Sequence, residues 1–545
     1  MKYPFALIFC AMLSACGGGS AGDSANTGFL GSATYSGTGI GVWRYDNTSA
    51  SAASININIA GVSAGKTATL VFSNGSASPA TLPDAGALAS SASSAALADA
   101  GMPLGSASVN RHAQDDAHAG MLEKNRALAI GLIRQRLAAA PAADLTGRPL
   151  ADGVSGPSAP AVGAIRSWNE NFEGTPVVYS ATASAICTLS SGRRVVWWVD
   201  PHVVSSGTFS SADWSVAFNR LQTSYCGDRG GLARIIKLLG EVWGAESAFH
   251  PEYIQEPGTA KQDVNVVVLN VPRSSQWAGY FFGEDTKLKT SSSSSSNEAL
   301  AFFINASQVA NDVDFTASTL LHETTHMVNF YQRAVAKGVV HDTWLEETTA
   351  MMTEDIVAPA VIGGYNKALS ERLPVYLASG GDVSYINWPT LTSASAHYGM
   401  GAGFGAFLNR RYGQSIYQQL VGSCGKDVPA TPALTSQECL DGLIKANQGV
   451  GFSDDFARFG TTLFGRLPAV GAPSGYGYPA TTTVDGYKLQ AKDLSALPLV
   501  SSATPNLRYQ ATSHLFQRDT ASAGSSYVRS GVVVPANTSL TVMIQ

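Results

Sequence analysis

The stretch Leu320-Leu321-His322-Glu323-Thr324-Thr325-His326-Met327-Val328-Asn329-Phe330-Tyr331-Gln332 decides how the chain is read. Its two histidines are four residues apart, and an α-helix stacks i and i+4 on one face, so both imidazoles can reach a single metal ion. Glu323 follows the first histidine, where a carboxylate can take a proton from a metal-held water and pass it to a leaving amine. Apolar residues on either side predict a substantially buried helix, in which two unliganded histidines would be costly. A third ligand is needed. The extended motif that adds a third histidine has Gly and His where this chain has Asn329 and Gln332, so that solution is excluded. Instead, Lys337-Gly338 predicts a helix end, and Thr343-Trp-Leu-Glu-Glu-Thr-Thr-Ala-Met-Met-Thr-Glu-Asp355 predicts a return helix. A glutamate on that helix can complete a His₂Glu site whose fourth position is left to water. Glu346 and Glu347 are about 100° apart around a helix, so one of them faces the metal. They flank the apolar stripe Leu345, Met352 and Ile356 on opposite sides, and periodicity leaves the choice open.

Over about 320–415 these residues resemble the hyicolysin family of secreted zinc metallopeptidases. The resemblance rests on His322 to Gln332, Thr343-Trp-Leu-Glu-Glu347 and Met351-Met-Thr-Glu-Asp355. It implies an α+β, thermolysin-like gluzincin domain, a Zn²⁺ cofactor and a peptide or protein substrate. Related gluzincins carry Trp-Leu-Asn-Glu-Gly, in which the glutamate is the ligand. By that resemblance the metal ligands are His322, His326 and Glu347, with Glu346 standing in place of Asn and Thr348 in place of Gly, and Glu323 is catalytic. Gluzincin aminopeptidases place a tyrosine before a Gly-containing helix to steady the oxyanion. Tyr398-Gly399-Met400-Gly401 is similar, which makes Tyr398 the second catalytic candidate, with His397 beside it. Asn297-Glu298 and the strand at 299–305 resemble the family's active-site edge strand. His341 reads as a surface loop residue.

The wider chain fits an exported protein. Of its 545 residues 14% are charged, and the formal net charge is −5. That is well below the roughly 25% usual for soluble domains. Low charge with a faint negative balance argues against a nucleic-acid partner. Met1-Lys2 and the apolar run 5–13 read as an export leader. Leu13-Ser14-Ala15-Cys16 resembles a bacterial lipobox, which implies cleavage before Cys16, lipid on its thiol and, with Gly17 next, an outer-membrane location. The length predicts two or three domains. We divide the chain into a leader (1–15), a Gly/Ser tether (16–31), a small β-rich region (32–75), a linker with a helix (76–160), the metallopeptidase domain (161–470) and a C-terminal β-rich domain (471–545). The helical stretch near 115–140 reads as a packing element, with a removable propeptide as the alternative that no visible cleavage signal supports. Cys187, Cys226, Cys424 and Cys439 have no zinc spacing and, in an exported protein, read as disulfides paired in chain order. The alternative function is a surface adhesin or binding lipoprotein whose β-rich ends make the contacts.

Overall fold

The computed structural model describes residues 33–81, a helix at 106–138, 160–497 apart from short stretches of which 425–434 is the longest, and 508–545 apart from 522–523. The export leader, Cys16 and the tether lie outside the described residues.

The two β-rich flanks, separated in the sequence reading, meet in one sandwich. Strands β1 (Gly41–Asn47), β2 (Ala53–Ala60) and β3 (Thr67–Asn74) come from the N-terminal side. Near the C-terminus, β10 (Ser513–Thr520), β11 (Ser526–Val534) and β12 (Thr538–Ile544) supply their partners. One sheet runs β10-β3-β12-β1, and in the other β11 pairs antiparallel with β2. Alternation along β2 sends Ile55, Ile57 and Ile59 into a core shared with Leu540, Val542 and Ile544. The two flanks therefore share one apolar core, and β10 also packs through His514 and Phe516 against Phe464, outside the sandwich.

Between them stands a mixed six-stranded sheet ordered β8-β9-β7-β6-β5-β4. Its strands are β4 (Ile165–Glu170), β5 (Val177–Thr188), β6 (Arg194–Val199), β7 (Val264–Leu269), β8 (Gly279–Phe281) and β9 (Leu300–Asn305). Val195, Trp197 and Val199 pack toward the helices, whereas Val196 and Trp198 join Trp168, Tyr280 and Phe303 on the opposite face. Both faces are covered, as the continuous apolar runs require. The strand at 299–305, expected at the active-site edge, is interior: β9 pairs parallel with β7 and antiparallel with β8. The edge next to the functional helices is β8, with Phe281 opposite Phe302.

Six helices carry the functional side chains or brace the sheets: α1 (Ser106–Ala138), α2 (Ser211–Tyr225), α3 (Val313–Asn329), α4 (Thr343–Ile356), α5 (Ser395–Tyr412) and α6 (Phe452–Phe464). Together with the sheet they give an α+β architecture. Disulfides Cys187–Cys226 and Cys424–Cys439 form in chain order, the first tying β5 to the end of α2. Among the described residues no helix is long and apolar enough to cross a membrane.

Candidate metal centre

Helix α3 begins at Asp312, whose side chain accepts from the amides of Asp314 and Phe315, and it is buried from Phe315 through Asn329. The following π-helical turn, Phe330–Val335, gives way to Gly338 at φ +69°, a left-handed conformation that glycine adopts without a Cβ clash. The chain then returns as α4. Two side-chain pairs lock the helices together: Thr325 Oγ1 to Thr353 Oγ1 at 2.7 Å, and Asn329 Nδ2 donating to Thr349 Oγ1 at 2.9 Å. A third helix, α5, comes close because it carries glycines. A Cβ on Gly401 would stand 2.6 Å from Met351 Cε of α4, and one on Gly405 2.8 Å from Met352 Cγ.

These elements bring His322, His326 and Glu347 to one point. Glu347 Oε2 lies 2.9 Å from His322 Nε2 and 3.8 Å from His326 Nε2. Glu346 turns to the outer side and accepts at Oε1 from Asn329 Nδ2 (2.9 Å), with His326 Nδ1 at 3.0 Å. The register of α4 on α3, set by the two side-chain pairs, thus separates the adjacent glutamates: Glu347 faces the centre and Glu346 supports a histidine. Glu354 faces His322 Nδ1 at 3.1 Å and is held by Arg372 (3.1 Å) and Lys367 (3.4 Å). Each α3 histidine thus has a carboxylate at its second nitrogen, the usual arrangement for fixing a metal-binding imidazole. Glu354 is a site residue that the sequence reading leaves without a role, although its spacing of seven from Glu347 puts both on one helix face.

Glu323 Oε2 accepts the Phe281 amide at 3.1 Å, which ties it to the edge strand. Tyr398 is fully buried, and its hydroxyl donates to Glu347 Oε1. Trp388 packs against its ring at 4.8 Å, and the Arg372 guanidinium lies 4.7 Å from the ring centre. His397 lies tilted against Trp388 instead, with ring centres 5.9 Å apart, and is not part of the cluster. His341, expected on the surface, is buried, with Nε2 3.1 Å from the Leu420 carbonyl.

The centre contains one more histidine. His118, from α1, lies with Nε2 3.2 Å from Glu323 Oε1 and Nδ1 3.4 Å from Glu347 Oε1. Its Nδ1 is also 3.2 Å from the Tyr398 hydroxyl. One ligand atom from each of His118, His322, His326 and Glu347 falls within 4.8 Å of the others. Sequence reasoning missed His118 because it belongs to no motif. Its only local mark is a helical stretch whose apolar residues give a packing face.

Burial would raise the Glu347 pKa, but His118, His322 and His326 reverse that and bring it down to about 2. For His322, burial acts downward and Glu347 and Glu354 prevail, raising it to about 9. Burial also acts upward on Glu323, and its three histidine neighbours leave it below the ordinary carboxylate value. The cluster is therefore a site of concentrated charge with low solvent access. His322 Nε2, His326 Nε2 and Glu347 Oε2 are buried without a hydrogen bond. Unsatisfied buried polar atoms are expensive, and three that converge are what a cation would satisfy. Two imidazoles and a carboxylate are, moreover, a donor set suited to a divalent metal.

Comparison with known proteins agrees with this chemistry. No curated protein matches the chain. A family model described as a domain of unknown function, DUF8571, matches residues 15–86. A second model, Peptidase M30, the hyicolysin family, matches residues 177–545. That match takes in α3, α4 and α5, whereas α1 falls between the two matches. With more than half of its length in that match, and with a buried His/Glu cluster inside it able to hold a metal ion, the chain belongs to the Peptidase M30 family of metallopeptidases.

Proposed function

We propose that the protein is a zinc-dependent peptidase, exported and anchored through lipid on Cys16. The observation that carries the catalytic part is the convergence of His322, His326 and Glu347 with Glu323 beside them. Zinc suits this donor set, since His₂Glu sites with an open fourth position are typical of catalytic zinc. When bound there, the ion would polarise the scissile carbonyl and lower the pKa of a water it holds. Glu323, ionised at neutral pH, takes a proton from the attacking water at Oε1 and delivers it to the leaving amine. The Tyr398 hydroxyl turns from Glu347 Oε1 to the developing oxyanion and stabilises it by a hydrogen bond. Glu354 and Glu346 hold the imidazoles in orientation. An extended peptide adds to the β8 edge by main-chain hydrogen bonds.

The test is zinc stoichiometry together with hydrolysis of a mixed peptide library, before and after chelation, with Glu323→Gln alongside. One zinc per chain, and hydrolysis lost on chelation and in the variant, is the expected result. No stoichiometric zinc, or full activity in Glu323→Gln, overturns the mechanism. The anchor is motivated by Leu13-Ser14-Ala15-Cys16. Incorporation of labelled palmitate by the wild type and not by Cys16→Ala is expected, and equal labelling of both removes the anchor.

A further inference from the structure

Two side chains of α1 occupy the places where catalysis needs water and substrate. His118 fills the side of the metal centre opposite the supporting carboxylates, in contact with Glu323, Glu347 and Tyr398. A catalytic zinc needs an open position, whereas four protein ligands make a closed, structural site. Seven residues on, two helical turns along the same face, Asn125 reaches the sheet edge. Its Nδ2 donates to the Phe281 carbonyl at 2.8 Å, and its Oδ1 accepts the Gly283 amide at 2.8 Å. A side-chain amide offers one donor and one acceptor as a peptide unit does, so Asn125 makes the pair of bonds that an added strand would make along β8.

The rest of α1 seats it in the cleft. Met121 packs with Trp168 and Tyr280, and Ala119 packs with Met351 and Tyr398. Leu122, Asn125 and Arg126 wall a small pocket, open at its mouth, whose other side is formed by His326, Phe330 and Arg333. Lys124 donates to the Phe172 carbonyl at 2.8 Å, and Arg126 pairs with Asp342 at 2.8 Å. All these contacts are non-covalent, because α1 has no cysteine and both disulfides lie elsewhere.

We propose that α1 is a built-in inhibitor: His118 takes the fourth coordination position, Asn125 takes the substrate's hydrogen bonds on the edge strand, and hydrolysis requires α1 to leave the cleft. The proposal rests on the zinc-peptidase reading. A tethered segment acts at an effective concentration on the order of millimolar, enough to exclude most substrates.

The test uses the full-length protein, loaded with cobalt(II) for spectroscopy and with zinc for activity, as wild type, His118→Ala and Asn125→Ala. Cobalt visible bands report the ligand set. They are expected to change in His118→Ala, to return toward wild type with added imidazole, and to stay unaltered in Asn125→Ala. Hydrolysis of a quenched fluorescent peptide is expected to rise about tenfold or more in both variants as the tethered competitor is weakened. An unchanged cobalt spectrum in His118→Ala overturns the ligand assignment. Wild-type hydrolysis that neither variant raises overturns the inhibition. Hydrolysis absent from every form, with cobalt still bound, overturns the peptidase reading and the inhibition with it, while the spectrum still decides whether His118 is a ligand.

Discussion

Helices α3 and α1 bring histidines to the same centre, and they hold them in opposite ways. His322 and His326 present Nε2 to Glu347 while Nδ1 of each faces a carboxylate, Glu354 or Glu346, that lies outside the ligand set. In His118 both ring nitrogens face groups of the site itself, Nε2 toward Glu323 and Nδ1 toward Glu347 and Tyr398. The first pair is oriented from behind and would keep its geometry with any occupant in the cleft. His118 is oriented only by what it contacts in front, so it can withdraw without dismantling the centre. The proposed permanent ligands and the proposed displaceable one thus differ less in burial than in what stands behind the ring.

The largest expected effect tests whether the centre is catalytic at all. Glu323→Gln removes the proposed base but none of the groups behind the imidazoles. Turnover should fall by about 10²–10⁴-fold, the usual contribution of a positioned general acid–base. Metal content, measured by elemental analysis of the same sample, should be unchanged. A parallel loss of metal would show that Glu323 belongs to the supporting framework, and would blur the distinction between the front and back of the site.

The supporting carboxylates come next. Glu354→Gln and Glu346→Gln should each weaken zinc binding by about 10–100-fold, as seen when groups behind metal-bound imidazoles are altered. Glu354 should cost more. It is fully buried and also neutralises Arg372 and Lys367, whereas the Glu346 side chain is 19% exposed. Competition with a chromophoric zinc chelator measures both. If neither change weakens binding, the orientation argument fails and the contrast with His118 goes with it.

The same contrast explains what was legible in the sequence. His322, Glu323 and His326 are close neighbours on one helix, so their geometry follows from helix pitch alone. Glu347 against Glu346 does not follow, because both flank the apolar stripe and only the register of α4 on α3, fixed through Thr325–Thr353 and Asn329–Thr349, separates them. The edge strand β8 is three residues long, too short to show alternation, and the longer apolar run at β9 drew the reading away from it. The sandwich strands are individually visible, yet their partners lie at the other end of the chain, a pairing that no local pattern encodes. His118 is the extreme case: its chemistry depends on groups from three other helices, and nothing in its own neighbourhood marks it.

A buried histidine with no carboxylate near it offers the smallest and cleanest test of what those carboxylates do. His514, on β10, lies against Phe456, Phe459 and Phe464 of α6, with Nδ1 2.9 Å from Ser73 Oγ. Burial lowers its pKa to about 3, whereas His322, equally buried but faced by two glutamates, rises to about 9. Because the folded-state value of His514 is below the ordinary 6.5, the unfolded chain binds the proton first as pH falls. Stability that is whole above about pH 6.5 is therefore lost progressively toward pH 3. At pH 5.5 this residue should cost about 1 kcal/mol, since a tenfold excess of protonated unfolded chain is worth about 1.4 kcal/mol. Urea unfolding at pH 7.5 and pH 5.5 measures it, and His514→Gln, which cannot take up a proton, should remove that share of the slope. His341, also buried with its pKa lowered, leaves a remaining slope in the variant. An identical pH dependence in wild type and His514→Gln would mean that the interface between the sandwich and α6 admits the proton, and that burial alone does not set how a histidine behaves in this protein.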